Sequence, residues 1–102
     1  YAQDTPKRAL RAFLLALDRK RWDVLLRFIP DARRDGIDVE KIKAAWEGAE
    51  KPEVEALAAA LRLALPTVPV QEAGDRATLD YGSGTIQLVR ERGSWKIESF
   101  GG

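Results

Sequence analysis

The stretch Ala77-Thr78-Leu79-Asp80-Tyr81-Gly82-Ser83-Gly84-Thr85-Ile86-Gln87-Leu88-Val89-Arg90-Glu91-Arg92-Gly93-Ser94-Trp95-Lys96-Ile97 decides the fold. Its apolar side chains recur at every second position, the period of half-buried strands. Arg92-Gly93 is a tight-turn pair, flanked by Ile86-Leu88-Arg90 and Trp95-Ile97. A two-residue loop there sets Leu88 opposite Ile97 and Arg90 opposite Trp95. Upstream, Gly74-Asp75 is a second such pair, between Val68-Val70 and Ala77-Leu79-Tyr81. The middle connection contains Gly82-Ser83-Gly84. A plain three-residue loop would oppose Leu79 to Gln87 and mix the faces. A two-residue loop, a four-residue loop or a bulge keeps Leu79 with the apolar set. The pattern predicts a four-stranded antiparallel meander. One face carries Val68, Val70, Ala77, Leu79, Tyr81, Ile86, Leu88, Trp95 and Ile97. The other carries Thr78, Asp80, Gln87, Val89, Lys96, Glu98 and Phe100.

Before Thr67 the period is helical. Thr5-Pro6 predicts an N-cap and a first helical residue, followed by Ala9, Leu10, Phe13, Leu14 and Leu17 on one face. Asp18-Arg19-Lys20-Arg21 makes a bend. Trp22, Leu25, Leu26 and Ile29 form a second stripe that Pro30 ends. A charged loop follows, from Asp31 to Gly36. Asp38 caps a third helix with Val39, Ile42 and Trp46 inward and Gly48 as its stop. Pro52 starts a fourth, carrying Val54, Leu57, Ala58, Leu61 and Leu65, and Pro66 closes it. Helices first and strands last give an α+β class. One domain over 1–102 is expected, with a helical part over 5–65 and a sheet part over 67–100. About four helices should cover the apolar sheet face and leave the other to water.

Composition narrows the chemistry. The 102 residues carry 17 basic and 16 acidic side chains, a net charge of +1, with 45% hydrophobic residues. Such a balance supports a packed core and gives no broad field for nucleic acid. Through Lys43 the balance is +4, and over the remainder −3. The positive part, with Arg19-Lys20-Arg21, Arg27 and Arg33-Arg34, is either a docking surface for an anionic partner or membrane headgroups, or an ordinary charged helical surface. Cys, His, Met and Asn are absent. This excludes disulfides, thiol nucleophiles, Ser-His pairs and the usual transition-metal ligands. The same bias fits a thermophile or engineered chain, and the excess of Arg over Lys with many Ala fits a GC-rich genome. No apolar run approaches a membrane span. The chain begins at Tyr1, so it reads as a trimmed or processed piece whose upstream signal or anchor would be out of view.

Thr5-Pro6, the run from Ala9 to Leu17, Trp22-Asp23 and Leu25 to Ile29 resemble the nuclear-transport-factor-2-like superfamily. That family includes ketosteroid isomerases and polyketide cyclases. Gly74-Asp75-Arg76-Ala77-Thr78 and Leu88-Val89-Arg90-Glu91-Arg92-Gly93-Ser94-Trp95-Lys96-Ile97 extend the resemblance, which covers roughly Thr5 to Phe100. The ending is similar to small bacterial members of unknown function, often found behind signal peptides or lipoprotein anchors. The resemblance implies a cone-like fold and a periplasmic or lipoprotein-anchored location, on a scaffold that hosts many activities. Isomerases of this family place a Tyr on the first helix as oxyanion donor, and the corresponding residue here is Phe13, which has no donor. The sheet is also shorter than in the enzymes, with a fourth helix inserted before it.

The candidate pocket residues are Phe13, Leu17, Trp22, Trp46, Leu61, Tyr81, Leu88, Arg90 and Trp95. The aromatics among them either line a ligand-holding cone or fill the core. Tyr81 and Arg90 either orient a ligand anion or form a rim, with Arg90 stacked on Trp95. Asp18 and Asp80 read as solvated ions, and a catalytic Asp would need a raised pKa. Asp31, Asp35, Asp38 and Glu40 lack calcium-loop spacing. The expectation is a non-catalytic binding or accessory module for a small apolar ligand or a protein partner, with no cofactor, no metal and no nucleic acid. It would be a monomer or a weak homodimer, because the outer sheet face is mostly polar. The alternatives are an isomerase- or cyclase-type enzyme with an Asp base and Tyr81 as donor, and an engineered or structural scaffold without ligand.

Overall fold

The structure, a computed structural model, describes residues 2–101. Helix α1 spans Pro6–Asp18. Thr5 caps it, its side-chain oxygen accepting from the Arg8 N–H at 3.2 Å. The helix ends in a Schellman turn, with the Arg21 N–H donating to Ala16 O and the Lys20 N–H to Leu17 O. Lys20 takes the left-handed position at φ +52°, where Gly is usual. Helix α2 spans Trp22–Leu25 and tightens into a 3-10 turn over Leu26–Phe28. Pro30 ends this turn, since the residue before a proline is pushed out of helical geometry, and Ile29 is extended. A further 3-10 turn occupies Asp31–Arg33 inside the charged loop.

Helix α3 spans Val39–Glu47, with Asp38 Oδ1 accepting from the Lys41 N–H at 2.9 Å. Of its three expected inward residues only Ile42 is fully buried, and Val39 and Trp46 are half-buried. Helix α4 spans Lys51–Ala64 and stops before Pro66.

The sheet is a meander of β1 (Gln71–Ala73), β2 (Arg76–Asp80), β3 (Thr85–Glu91) and β4 (Ser94–Gly101), in the order β1-β2-β3-β4. All pairs are antiparallel. The Arg92-Gly93 turn has both residues at positive φ, and Leu88 lies opposite Ile97 and Arg90 opposite Trp95, as the spacing predicts. The β2–β3 connection is the four-residue loop, with Asp80 paired to Thr85 and Leu79 to Ile86. Asp80 Oδ1 shapes it by accepting from the Gly82 N–H at 2.8 Å.

Three expectations need correction. The first strand is Gln71–Ala73, not Val68-Val70. Pro69 has no N–H to give a ladder, so pairing begins after it, and Val68 and Val70 pack half-buried against the core. Tyr81 is a loop residue just beyond β2, with its N–H donating to Gly84 O at 3.0 Å. Phe100 lies on the inner face. Gln87 pairs with Ser99 but Leu88 pairs with Ile97, so Glu98 is an extra residue in β4. That bulge reverses the alternation and puts Phe100 opposite the buried Ile86.

Four helices therefore cover one face of an open four-stranded sheet, an α+β fold. Trp95 is 1% exposed and packs with Leu88, Leu79, Ile86 and Ala77 under Leu10, Phe13 and Leu61. Each such large side chain contributes about 1.5–3 kcal/mol by leaving water. The alternate residues Arg76, Asp80 and Gln87 face solvent. Among the described residues, no helix is long and apolar enough to cross a membrane.

Candidate binding cleft

Phe13 is the centre of an aromatic group. Its ring meets Phe28 edge-on at 5.7 Å and Trp46 edge-on at 6.0 Å. The three rings come from α1, the turn after α2, and α3. Phe13 and Phe28 are buried, while Trp46 keeps part of its surface open. That surface faces a cleft of about 570 Å³ between α3 and the outer edge of β4. The cleft exists because α3 packs mainly on α2 and α4 and stands off the strands. Ile42 of α3 and Ile29, just after the 3-10 turn, form one wall, and Ile97 and Phe100 the strand wall. Its size suits a small ligand or a few side chains.

The rim is charged. Arg33 and Lys41 lie near the start of α3, and Glu50 and Glu53 lie beyond its end. Lys41 Nζ donates to Gly36 O at 2.6 Å, which folds the loop back on the helix without neutralising the ammonium. A second hollow of about 490 Å³ lies on the other side of Trp46, lined by Leu17, Trp22, Val54 and Ala58. An Asp18–Arg62 ion pair stands at its mouth.

No family model, curated protein or solved structure matches this chain. Position and chemistry separate the candidate residues. Phe13 and Trp46 line the main cleft, and Leu17 and Trp22 join Trp46 in the second hollow. Leu61, Leu88 and Trp95 are core residues with almost no exposure. Arg90 is exposed, bonded to Asp75 Oδ1 at 2.9 and 2.8 Å, and its guanidinium lies 5.3 Å from the Trp95 ring centre. Tyr81 lies at the other end of the sheet, separated from Arg90 by six residues of β3, about 20 Å. The two do not form one site. Phe28, Ile29, Ile42, Ile97 and Phe100 complete the cleft and were not among the sequence candidates. The spacing of Trp95, Ile97 and Phe100 held the missing signal, because its last step breaks the period of two.

Three carboxylates outside the cleft lining are shifted in the same direction. The Arg21 guanidinium beside Asp23 lowers its pKa. Hydrogen bonds from Lys96 and then Arg92 lower that of Asp31. The Asp31 N–H, and then Lys96, lower that of Glu91. A general acid or base working near neutrality needs the opposite shift. Among the described residues, no cluster of three acidic side chains is arranged to hold a metal.

Proposed function

We propose that the protein is a non-catalytic binding module that holds an apolar group in the cleft between α3 and β4. The observation that carries this reading is the half-open Trp46 ring, set edge-on to Phe13 and lining a cleft of about 570 Å³. An aromatic wall left partly in water loses unfavourable hydration when an apolar group covers it. An isomerase-type reading would need Tyr81 beside a carboxyl of raised pKa, and Tyr81 lies outside the cleft lining. The nuclear-transport-factor-2-like assignment belongs to the same proposal, supported by helices laid over one face of an antiparallel sheet.

The test is a titration of isotope-labelled protein with indole, followed through the three tryptophan side-chain N–H signals. Trp46 should shift while Trp95 stays still, and Trp46→Ala should abolish saturable binding. A Trp46 signal unmoved at millimolar indole would remove the reading.

A further inference from the structure

We infer that the apolar group is presented by an extended peptide, which adds to the free edge of β4 as a fifth strand. This rests on the cleft being a binding site and specifies what enters it. β4 is the last strand in the sheet, so among the described residues one side of it has no strand neighbour. Gln3 shows which peptide groups face that side. The Trp95 N–H donates to Gln3 O at 2.8 Å, and Gln3 Nε2 donates to Trp95 O at 3.0 Å. Both peptide groups of Trp95 thus point away from β3. Residues two apart in a strand share this direction, so the N–H and C=O of Ile97 point the same way. The Glu98 bulge shifts the phase by one, and Phe100 is the next residue to face outward.

Ile97 and Phe100 both line the cleft. Gln3 covers the edge only at Trp95, and the outward N–H groups of Ile97 and Phe100 have no partner among the described residues. A free apolar molecule would cover the aromatic floor and leave these groups unpaired. A peptide strand satisfies both, with main-chain bonds to the edge and alternate side chains on the floor.

The rim adds to the argument. α3 is nine residues long, about 13 Å, with cationic Arg33 and Lys41 at one end and anionic Glu50 and Glu53 at the other. The edge from Ile97 to Gly101 accommodates about four or five residues. The partner is therefore a short extended segment of a protein. It carries an aromatic or branched aliphatic residue facing Trp46, an acidic residue towards Lys41 and a basic residue towards Glu53.

The test selects binders to the intact chain from a display library of random linear peptides of about seven residues. The best binder is then synthesised and its amides N-methylated one at a time, which removes ladder hydrogen bonds without altering the protein. The expected result is protection of the Ile97 and Phe100 amides from hydrogen exchange by about tenfold or more. N-methylation should weaken binding by about tenfold at alternate positions and little between them. Strand addition is overturned if the peptide shifts Trp46 but leaves those amides unprotected, or if N-methylation has the same effect at every position. It is also overturned if the peptide protects the β1 edge at Gln71–Ala73, or if indole binds and no peptide is enriched. In each of these cases except the β1 one, the cleft survives as a binding site. Failure of indole and peptides alike removes both readings.

Discussion

Lys96 stands near the start of β4 with its side chain only 7% exposed, and its Nζ lies 3.1 Å from Asp31 Oδ1 and 3.0 Å from Glu91 Oε1. The Asp31 N–H also donates to Glu91 Oε1 at 3.1 Å, so the turn after Pro30 is tied to the β3–β4 hairpin. A buried ammonium is costly unless paired, so the order of losses is specific. Lys96→Met should cost about 1 kcal/mol or less, because methionine fills the volume and both carboxylates regain water. Asp31→Asn with Glu91→Gln should cost more than that, since the ammonium stays buried without a counter-ion. Urea midpoints of the two variants test the order. The pH dependence follows from the same contacts. Both carboxyls have pKa values below their ordinary 3.8 and 4.5 when folded, through hydrogen bonds to Lys96 and, for Glu91, first to the Asp31 N–H. Their contribution is complete above those ordinary values and is lost as the pH falls through the lower folded ones. Lys96→Met should therefore flatten the fall in melting temperature below about pH 4. Lys20 offers a change of opposite sign. It is exposed and held at φ +52°, so Lys20→Gly should stabilise by about 0.5–1 kcal/mol in the same urea assay.

At the scale of elements, the parts set by local chemistry were legible in the sequence. Thr5 and Asp38 cap their helices because a short oxygen-bearing side chain reaches an unpaired N–H one turn on. Arg92-Gly93 and Gly74-Asp75 set their hairpins because the turn fixes the register by itself. What was hard to read depended on backbone shifts that the side chains mark only faintly, as a single break in period at Phe100, or through tertiary packing. Glu98 and Ser99 look like any exposed pair, yet one of them is the bulge that turns Phe100 inward. The stripe Val39, Ile42 and Trp46 looks like a core stripe, yet tertiary packing leaves α3 standing off the sheet. Gly48 holds that arrangement. A Cβ there would sit 2.5 Å from the Ala44 carbonyl oxygen, a contact the backbone must move to relieve. Gly48→Ala should cost about 1–3 kcal/mol. It should also weaken indole binding, because the displaced end of α3 carries Trp46. A destabilised variant with unchanged indole affinity would show that the α3–α4 turn does not position the cleft.

For the whole molecule, the question is which aromatics hold the fold and which face a ligand. Sequence alone gives Trp46 and Trp95 the same appearance, a tryptophan on the inward stripe of its element. The structure separates them by exposure, because Trp95 lies under the helices whereas Trp46 closes the core against the cleft. Removing Trp95 leaves a cavity with Leu88 and Phe13 nearby and nothing to collapse into it, so Trp95→Ala should cost about 3–5 kcal/mol and approach the whole stability of a domain this small. Trp46→Ala gives up less burial and enlarges a cleft that water already enters, so its cost should be nearer 1–2 kcal/mol. Trp95→Phe keeps most of the volume and should preserve indole binding, whereas Trp46→Phe should reduce it. Thermal melts and indole titrations on these four variants give two rankings that should run in opposite directions. If both rank Trp95 first, Trp46 is one more core residue, and the space beside it is a packing defect rather than a site.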